Sequence, residues 1–450
     1  MSYVNAGARL DRLPISSFHY RIMWLIGAGM FFDGFDIYLA GNVLGSLVKS
    51  GFSTLALNAQ FISLTFAGMV VGAFATGFLG DRFGRRFTYQ FNLALFGLAS
   101  IAAAFAPTMQ ALIAIRFITG IGLGAEIVVG YATLTEFVPP SVRGKWLGGM
   151  VVFVVTALPI ASLIGLFVIP RIGWHWMFAI AGVGALVVWY LRKSLPESPR
   201  WLESAGRTAE AERVVATIEA EVAREKPLPP VGAVAPAAPH VALFSAEMLP
   251  RLFVGAVMMI VVNTLLFGFI TWLPTFFVKE GLSIAQSFNF TFVMSLGAPL
   301  GAAIGAFTAD SWGRKPTIVG ASLWSIVFGA IYPFVHDPIV LSIVGFLLVT
   351  AIYVLVAVEI GIYVSELFPT EIRMRGAGIS NTFGRAATIV TPFIVIWLFQ
   401  GHGVGGVLAF MIALLALQII VVATLGIEPR KRPLEELDPD AGGLPAAAQA

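Results

Sequence analysis

The chain has 450 residues, of which 58% are apolar, only 12% are charged and 37 are Phe. This composition cannot supply the polar shell of a water-soluble globule, so the solvent of most of the chain must be lipid. The basic residues lie in short loops and form no patch for nucleic acid, and the lack of Cys excludes disulfides and thiolate chemistry. The sequence therefore predicts an all-α protein of the lipid bilayer.

Apolar runs long enough to cross a bilayer, about 20 residues each, define the predicted membrane helices. The first run is long and continues into a helical pattern, so we expect no cleaved signal peptide. Twelve spans are predicted, near residues 21–44, 59–80, 88–106, 110–135, 146–170, 174–191, 251–277, 285–308, 317–335, 338–365, 377–399 and 404–426.

The distribution of Lys and Arg predicts the orientation of these helices. Nearly all of the 28 basic residues lie in the termini or in every second loop, which the positive-inside rule assigns to the cytoplasm. The exceptions are Lys49, Arg171 and Lys279 in the other loops and Arg116 and Arg385 within spans. We therefore expect both termini to be cytoplasmic in a plasma membrane, the inner membrane if the source is bacterial.

A charged turn recurs in the two halves of the chain. Residues 81–86 (DRFGRR) follow the second span, and residues 310–315 (DSWGRK) follow the eighth. A second pattern repeats at nearly the same offset, with Glu136, Pro139 and Arg143 matched by Glu366, Pro369 and Arg373. Two halves built alike, each with a charged turn between membrane helices, predict a duplicated six-helix bundle and hence a transporter.

The repeated residues have a physical role in this scheme. Gly84 and Gly313 allow tight turns, and the acidic side chains can pair with arginines or with helix N-termini. We predict that the set gates the conformational change without contacting substrate; the alternative is a basic loop that only fixes orientation. The predicted gating residues are Asp81, Arg85, Glu136, Arg143, Asp310, Arg314, Glu366 and Arg373.

Two features outside the spans complete the predicted domain organisation. Residues 201–225 carry apolar residues at helical spacing and predict an amphipathic helix, whereas the end of the chain is acidic and then rich in Ala and Gly. The predicted regions are a cytoplasmic N-terminus at 1–20, a first bundle at 21–192, a cytoplasmic linker at 193–250, a second bundle at 251–426 and a disordered cytoplasmic tail at 427–450.

Two further motifs resemble those of a known family. Residues 195–202 (LPESPRWL) resemble the signature that closes the sixth helix of sugar porters and their organic-ion relatives, and residues 32–36 (FDGFD) resemble that of aromatic-acid:proton symporters and niacin permeases. The chain resembles a major facilitator superfamily carrier over nearly its whole length. The resemblance implies two pseudo-symmetric halves, alternating access and transport of a small molecule. The second charged turn departs from the first, with Ala306 for Gly77 and Ser311 for Arg82.

Charged residues inside the spans are the best guide to chemistry, because each costs at least ~2.5–3.5 kcal/mol in hydrocarbon. Asp33 and Asp36 lie on one helix face, so we predict that they take up and release a proton. Arg116 and Glu126 are too far apart on one helix to pair, and we predict that they join the coupling with partners elsewhere. The alternatives are that Asp33 caps a kink at Gly34, that Asp36 pairs permanently with an arginine of helix 4 or 11, and that Arg116 is structural.

Arg385 lies in the middle of the eleventh span, where its guanidinium could clamp a carboxylate. This stretch resembles helix 11 of the animal organic-ion carriers, in which anion carriers have Arg at the matching place. The alternative is an internal salt bridge to Glu359 or Asp36. Around it we predict a substrate site with rings that could stack on a flat ligand, although core packing is the default for any one ring. The predicted substrate-site residues are Arg385, Asn263, Phe35, Tyr38, Trp272, Glu359 and Asn381.

These observations predict a monomeric secondary transporter that imports a small organic anion, an aromatic carboxylate, together with protons. The five His have no metal-ligand spacing, so we expect no metal and no cofactor. A sugar or polyol symporter and an organic cation carrier are the nearer alternatives. A membrane receptor or an intramembrane enzyme is a remote one, since the chain shows neither an output domain nor a nucleophile with its base.

Overall fold

The computed structural model of the protein describes residues 4–231, 243–279, 281–368 and 372–428. Within helices, nothing is described of the side chains at positions 77, 78, 81, 310, 365, 373 and 374. The gating predictions for Asp81, Asp310 and Arg373 and the repeated Pro369 therefore lie outside the described residues. The predicted disordered tail does so as well, apart from its first two residues.

Helices form all the long regular segments of the described chain. They are α1 (Ala6–Asp11), α2 (Ser17–Lys49), α3 (Leu55–Phe83), α4 (Arg85–Ala104), α5 (Met109–Phe137), α6 (Pro140–Val155), α7 (Ala157–Ile172), α8 (His175–Leu191), α9 (Pro199–Ser204), α10 (Thr208–Ala223), α11 (Met248–Gly268), α12 (Leu273–Lys279), α13 (Ile284–Ser295), α14 (Gly297–Ser311), α15 (Arg314–Ile331), α16 (Pro338–Val358), α17 (Val364–Glu366) and α18 (Arg373–Leu425).

Eleven helical segments of the described chain are long and apolar enough to cross a membrane, and the last of them contains two spans. Its 51 residues, Arg375–Leu425, would extend about 77 Å as one straight helix, more than twice the bilayer core. The helix breaks at Gly403, whose φ of 63° and ψ of −159° are open to glycine but not to other residues. This break separates the predicted eleventh and twelfth spans, so the prediction of an all-α protein with twelve membrane helices is confirmed.

The helices divide into two compact units. The first comprises the described parts of Met1–Pro236 and Thr271–Phe292, and the second comprises those of Ala237–Ile270 and Val293–Ala450. The seventh predicted span is shared between the units, because α11 lies in the second and α12 in the first. Within the first unit, Gly41 of α2 lies against the backbone of Thr271, where a Cβ would collide with the carbonyl oxygen.

Glycines let α3 and α5 approach each other closely within the first unit. A Cβ at Gly68 or Gly72 would overlap a backbone carbonyl of α5, and one at Gly120 or Gly124 would overlap a carbonyl of α3. Small residues at such contacts permit close packing of membrane helices. The spaced glycines after Arg116 thus hold α5 against α3 and fix where the Arg116 side chain enters the bundle.

The predicted amphipathic helix of the linker forms as two helices, α9 and α10, with a turn at Gly206 (φ 77°) between them. Its buried face consists of Ala211, Val215, Ile218 and Val222, which repeat at helical spacing. Ala6 of α1 packs with Ala211 and Val215 of this face. The short helix is also held by ion pairs of Arg9 with Glu212 and Glu219 and by the Glu203 carboxylate, which accepts three backbone N–H bonds from Val4, Asn5 and Ala6.

Candidate functional site

The charged turn of the first unit is built around the start of α4. Gly84 precedes the helix with a φ of 93°, and the carboxylate of Glu197 accepts hydrogen bonds from the backbone N–H groups of Arg85 (2.9 Å) and Arg86 (3.2 Å). The N-terminus of a helix carries partial positive charge and unpaired N–H groups, so a carboxylate binds there favourably. A Cβ at Gly84 would collide with Glu197, which explains the glycine.

The side chain of Arg85 ties this turn to α5. Its Nε lies 3.0 Å from a carboxylate oxygen of Glu136, and its Nη1 donates to the carbonyl of Gly80 at 2.8 Å. Arg143 lies elsewhere: it donates to the Val138 carbonyl and lies 3.5 Å from Asp11. The structure therefore brings together two of the predicted gating residues, Arg85 and Glu136.

The second unit repeats this arrangement with its own residues. Gly313 has a φ of 112°, and Glu428 accepts hydrogen bonds from the backbone N–H groups of Arg314 (3.1 Å) and Lys315 (2.9 Å). The Arg314 side chain pairs with Glu366 at 2.8 Å and donates to the Ala309 carbonyl at 3.0 Å. Neither capping carboxylate, Glu197 or Glu428, was among the predicted gating residues. The sequence pattern that could have identified them is a Glu followed closely by Pro and Arg after the last span of each half.

Burial distinguishes Glu197 from an ordinary surface carboxylate. Burial raises the pKa of Glu197 above its usual value, and the hydrogen bonds from the backbone N–H groups of Ser198, Arg86 and Arg85 partly oppose this rise. The cap of α4 is therefore sensitive to protonation of Glu197.

Inside the first unit, Asp36 of α2 and Arg116 of α5 form a fully buried ion pair with an N–O distance of 2.5 Å. The Ser100 hydroxyl donates to the other Asp36 oxygen at 3.2 Å. The guanidinium also lies over the rings of Phe61 and Phe178, at 5.1 and 5.7 Å from their centroids, which are distances typical of cation–π contacts. Arg116 therefore has its partner on α2, the first membrane span. This agrees with the alternative that Asp36 pairs with an arginine of the fourth span.

A second buried ion pair joins Glu126 of α5 to Arg192, just beyond the end of α8. Both side chains are at most 1% exposed, and Arg192 also donates to the backbone carbonyls of Leu25 (2.8 Å) and Ile26 (2.7 Å) on α2. Arg192 was not among the predicted site residues. In the sequence it stands at a helix end among other basic residues, where a cation ordinarily faces the cytoplasm.

Asp33 lies on α2, one turn before Asp36, but has no arginine partner among the described residues. It is 1% exposed, and neither of its carboxylate oxygens has a hydrogen-bond partner in the described chain. The helix continues through Gly34 without a break, and the Asp33 side chain caps nothing. A buried carboxylate without a partner is costly when ionised, and adding a proton removes that cost. The geometry thus separates Asp33 from Asp36, which already has its cation.

The interior of the second unit contains different charges. Arg385 of α18 is half-buried and makes no ion pair with any described residue; in particular, it is not bonded to Glu359. Nearby on the same helix, Gly384 lies against Asn263 of α11, so a Cβ there would press on the Asn263 amide. The amides of Asn263 and Asn381 donate within their own helices, to the carbonyls of Met259 (2.7 Å) and Ala377 (3.0 Å).

Glu359 is fully buried in the second unit. One of its oxygens accepts a hydrogen bond from the Gln418 amide of α18 at 2.7 Å, and the other has no described partner. Of the predicted aromatic residues, all in the first unit, Phe35 and Trp272 are 1% exposed and pack in the core, whereas Tyr38 is partly exposed. The rings of Trp272 and Phe276 stack with their centroids 6.3 Å apart. The predicted substrate contacts of all these residues stay predictions.

Comparison with known proteins places the chain in a family. It matches the sugar (and other) transporter family over residues 26–441. It is 38% identical to the inner membrane metabolite transport protein YdjE of Escherichia coli (strain K12), over 97% of this chain and 98% of the relative. It is 32% identical to the niacin transporter NiaP of Acinetobacter baylyi (strain ATCC 33305 / BD413 / ADP1), over 96% of this chain and 99% of the relative.

Among solved structures, a D-xylose-proton symporter has the same fold, with a TM-score of 0.72, 18% identity and coverage of 92% of this chain and 99% of that one. The all-α architecture with twelve spans agrees with this fold. The expectation that the chain is not an enzyme is confirmed by its relatives. The chain belongs to the sugar (and other) transporter family and is a multi-pass membrane transporter of the major facilitator superfamily.

Proposed function

We propose that this transporter imports a small organic anion, an aromatic carboxylate, together with protons by alternating access. It acts as a monomer in the inner membrane of a bacterium, with both termini in the cytoplasm. In this proposal Asp33 carries the proton, and Arg385 binds the carboxylate of the substrate. The Asp36–Arg116 and Glu126–Arg192 pairs supply the charged surroundings to which Asp33 responds.

The observation that carries the proposal is the unequal partnering of the intramembrane charges. Asp36, Arg116 and Glu126 each have an ionic partner, whereas Asp33 and Arg385 have none among the described residues. A buried acid without a cation is suited to exchange a proton, and an arginine without a carboxylate is suited to bind one from outside. These two residues therefore match the two ions that the proposed cycle moves.

Energetics explain why an imported anion would need the proton. A negative-inside potential opposes entry of an anion by about 2.3 kcal/mol per charge at 100 mV. Entry of protons with the substrate offsets this cost. The relative from Acinetobacter baylyi is a niacin transporter, niacin is an aromatic carboxylate, and that relative aligns with this chain over nearly its full length.

A sugar symporter is the second candidate, because the family takes its description from sugars. A neutral sugar carries no charge for Arg385 to bind, and an intramembrane arginine without a ligand or partner is costly. An uptake experiment that compares an aromatic acid with a sugar distinguishes the two candidates.

The test is uptake into proteoliposomes with an inside-alkaline pH gradient, using radiolabelled nicotinate, nicotinamide, D-xylose and a small quaternary ammonium ion in parallel. Vesicles without protein measure the passive entry of the protonated acid, and a protonophore removes the gradient. We expect protein-dependent accumulation of nicotinate alone, abolished by the protonophore. Accumulation of D-xylose or of the ammonium ion in place of nicotinate would overturn the proposed substrate class.

A further inference from the structure

Glu359 is a buried acid that the proposed roles of Asp33 and Arg385 leave unused. It is 0% exposed and begins a π-helical turn, Glu359–Tyr363, that follows α16. Such widened turns are rare and occur frequently at functional sites. The turn directs Glu359 toward Gln418 of α18, which is itself fully buried.

The contact between these two side chains is half complete. The Gln418 amide nitrogen donates one hydrogen bond to Oε1 of Glu359 at 2.7 Å and another to the Ser322 hydroxyl of α15 at 3.2 Å. Two buried oxygens remain without a partner, Oε2 of Glu359 and Oε1 of Gln418, and both belong to this pair. Each is an acceptor, so they cannot satisfy one another unless a proton is added.

A protonated carboxyl supplies the missing donor. A carboxylic acid and a primary amide are complementary, because the amide N–H donates to the acid carbonyl while the acid O–H donates to the amide carbonyl. The first bond is present at 2.7 Å, and a proton on Oε2 would give both unpartnered oxygens a role. Without the proton, the carboxylate is a buried charge with one hydrogen bond and no cation.

No described charge on the surrounding helices compensates that carboxylate. The basic groups and other titratable groups on the packed elements are bound elsewhere or make no ion pair with Glu359. They are Arg251 of α11, which donates to the Leu367 carbonyl; Arg314 and Lys315 of α15, bonded to Glu366 and to backbone carbonyls; Tyr363 of the π turn, bonded to the Ile427 carbonyl; Glu366 of α17; and Arg375, Arg385 and His402 of α18.

We propose that Glu359 and Gln418 form a second proton-binding site, located in the second unit and separate from Asp33. The protonated acid holds the π turn against α18 through two hydrogen bonds. Release of the proton leaves a charge that the closed packing cannot solvate, so release accompanies separation of the turn from Gln418 and entry of water. The part of this proposal that concerns coupling rests on the proposed proton-driven function; proton binding itself does not.

Infrared spectroscopy of the purified full-length protein tests proton binding without any substrate. The carbonyl stretch of a protonated carboxyl should appear at neutral pH and shift in D2O, and the component that Glu359 contributes should be lost in Glu359→Gln. Glu366→Gln is the matched control in the same unit, because Glu366 pairs with Arg314. It should leave the band in place. A difference spectrum of wild type and Glu359→Gln without a protonated-carboxyl band would overturn the proposal.

A second variant keeps the test decisive if Glu359→Gln does not fold. Gln418→Leu removes the amide and leaves the acid without its partner, so the carbonyl band should move to the frequency of a carboxyl that is not hydrogen-bonded. An unchanged band position in Gln418→Leu would show that the two side chains do not share the proton.

Transport separates proton binding from coupling. Glu359→Gln mimics the protonated acid, so substrate exchange at equal pH should continue while the dependence of uptake on the pH gradient decreases. The coupling role of Glu359 would be overturned if the wild type showed the Glu359 infrared band but uptake by Glu359→Gln depended on the pH gradient as strongly as uptake by the wild type. Absence of proton-coupled anion uptake by the wild type, with the band still present, would overturn the proposed function and leave the site intact.

Discussion

The two halves of this transporter share the chemistry of their turns and differ in the chemistry of their interiors. At the turns, Glu197 and Glu428 each accept two backbone N–H bonds at the start of a helix, and an arginine of that helix pairs with a glutamate. In the interior, the described part of the first half contains two arginine–carboxylate pairs and Asp33, which has no partner there. Among the described residues of the second half, Arg385 has no carboxylate partner and Glu359 is bonded only to the Gln418 amide.

The parts of the duplicated bundle that serve a common task are the turns. In the proposed alternating-access cycle both halves close and open, which accounts for the same helix caps and ion pairs at their turns. The interiors are free to diverge, because the proposed cycle carries an anion and protons and needs different groups for each ion. We therefore expect substitutions at the turns to act alike in the two halves and interior substitutions to act differently.

The largest expected effect comes from breaking the Glu126–Arg192 pair. Arg192→Ala leaves a buried glutamate without its cation and should lower the free energy of unfolding by about 3–5 kcal/mol. Arg385→Ala in the other half removes an arginine that has no ionic partner among the described residues and should cost far less. Denaturant titration of both purified variants measures the contrast. Replacing Glu126 and Arg192 together with Leu should restore most of the loss, and equal destabilisation by the two alanine variants would contradict the assignment.

The next contrast lies within one helix, between Asp33 and Asp36. Asp33→Asn should abolish accumulation driven by a pH gradient, preserve substrate exchange and change stability by less than about 1 kcal/mol, since no ion pair is lost. Asp36→Asn leaves Arg116 buried without its carboxylate and should destabilise the protein by roughly 3 kcal/mol as well as impair transport. Uptake, counterflow and unfolding of the two variants would be compared. Normal gradient-driven uptake in Asp33→Asn would exclude this residue as the proton carrier.

The repeated caps should respond alike and more weakly. Glu197→Gln and Glu428→Gln each replace the carboxylate at a helix N-terminus with a neutral amide, for which we expect the free energy of unfolding to change by no more than about 1 kcal/mol and the conformational change to become slower, with little change in substrate affinity. Transport rate and equilibrium binding measured in parallel would show this. A loss of affinity as large as the loss of rate in either variant would remove the cap from the gating machinery.

The cap at Glu197 also predicts a pH dependence. Burial raises the pKa of Glu197 in the folded protein above its ordinary value of 4.5, so its protonation stabilises the fold relative to the unfolded chain. This contribution is present below pH 4.5 and is lost as the pH rises through the higher folded value. Unfolding measured across that range should show less pH dependence in Glu197→Gln than in the wild type.

The smallest effect is expected at a contact seen in the described part of the first half alone. Asp11 lies 2.6 Å from Arg200 and 3.5 Å from Arg143, and all three side chains are partly exposed. Exposed pairs contribute little, so Asp11→Asn should change the free energy of unfolding by less than about 1 kcal/mol. A larger loss would mean that Asp11 contributes more to the stability of the fold than an exposed ion pair does.

The sequence predicted the parts of the molecule that depend on local patterns. Apolar runs predicted the twelve spans, because lipid permits almost only helices of that length. The repeat predicted the turns at Gly84 and Gly313, since a tight turn requires its glycine wherever it occurs. Partners in space were harder to infer. Arg192 was missed because it follows the end of its helix, and the pairing of Asp36 with Arg116 was only one of several alternatives.

The difference between Asp33 and Asp36 was hard to predict for the same reason, because it depends on partners that are distant in sequence. Asp33 and Asp36 have the same side chain on the same face of one helix, and only the neighbouring helices decide which of them has a cation. The sequence also could not show whether Glu359 binds substrate or another side chain. Its hydrogen bond with Gln418 depends on a π turn and on a residue 59 positions away. The gating roles of Asp81, Asp310 and Arg373 stay predictions.

The most direct test of the proposed anion site is a double cycle on Arg385 and the charge of the ligand. Binding of nicotinate and of its uncharged amide is measured for wild type, Arg385→Lys and Arg385→Ala. We predict that Arg385→Ala weakens nicotinate binding by about 30-fold or more, corresponding to ~2 kcal/mol or more for a truncated charge pair, and leaves the amide unaffected. Arg385→Lys should bind nicotinate with intermediate affinity, because lysine keeps the positive charge but lacks the planar guanidinium that can donate two parallel hydrogen bonds to a carboxylate. Equal losses for acid and amide would contradict the assignment of Arg385 as the anion site.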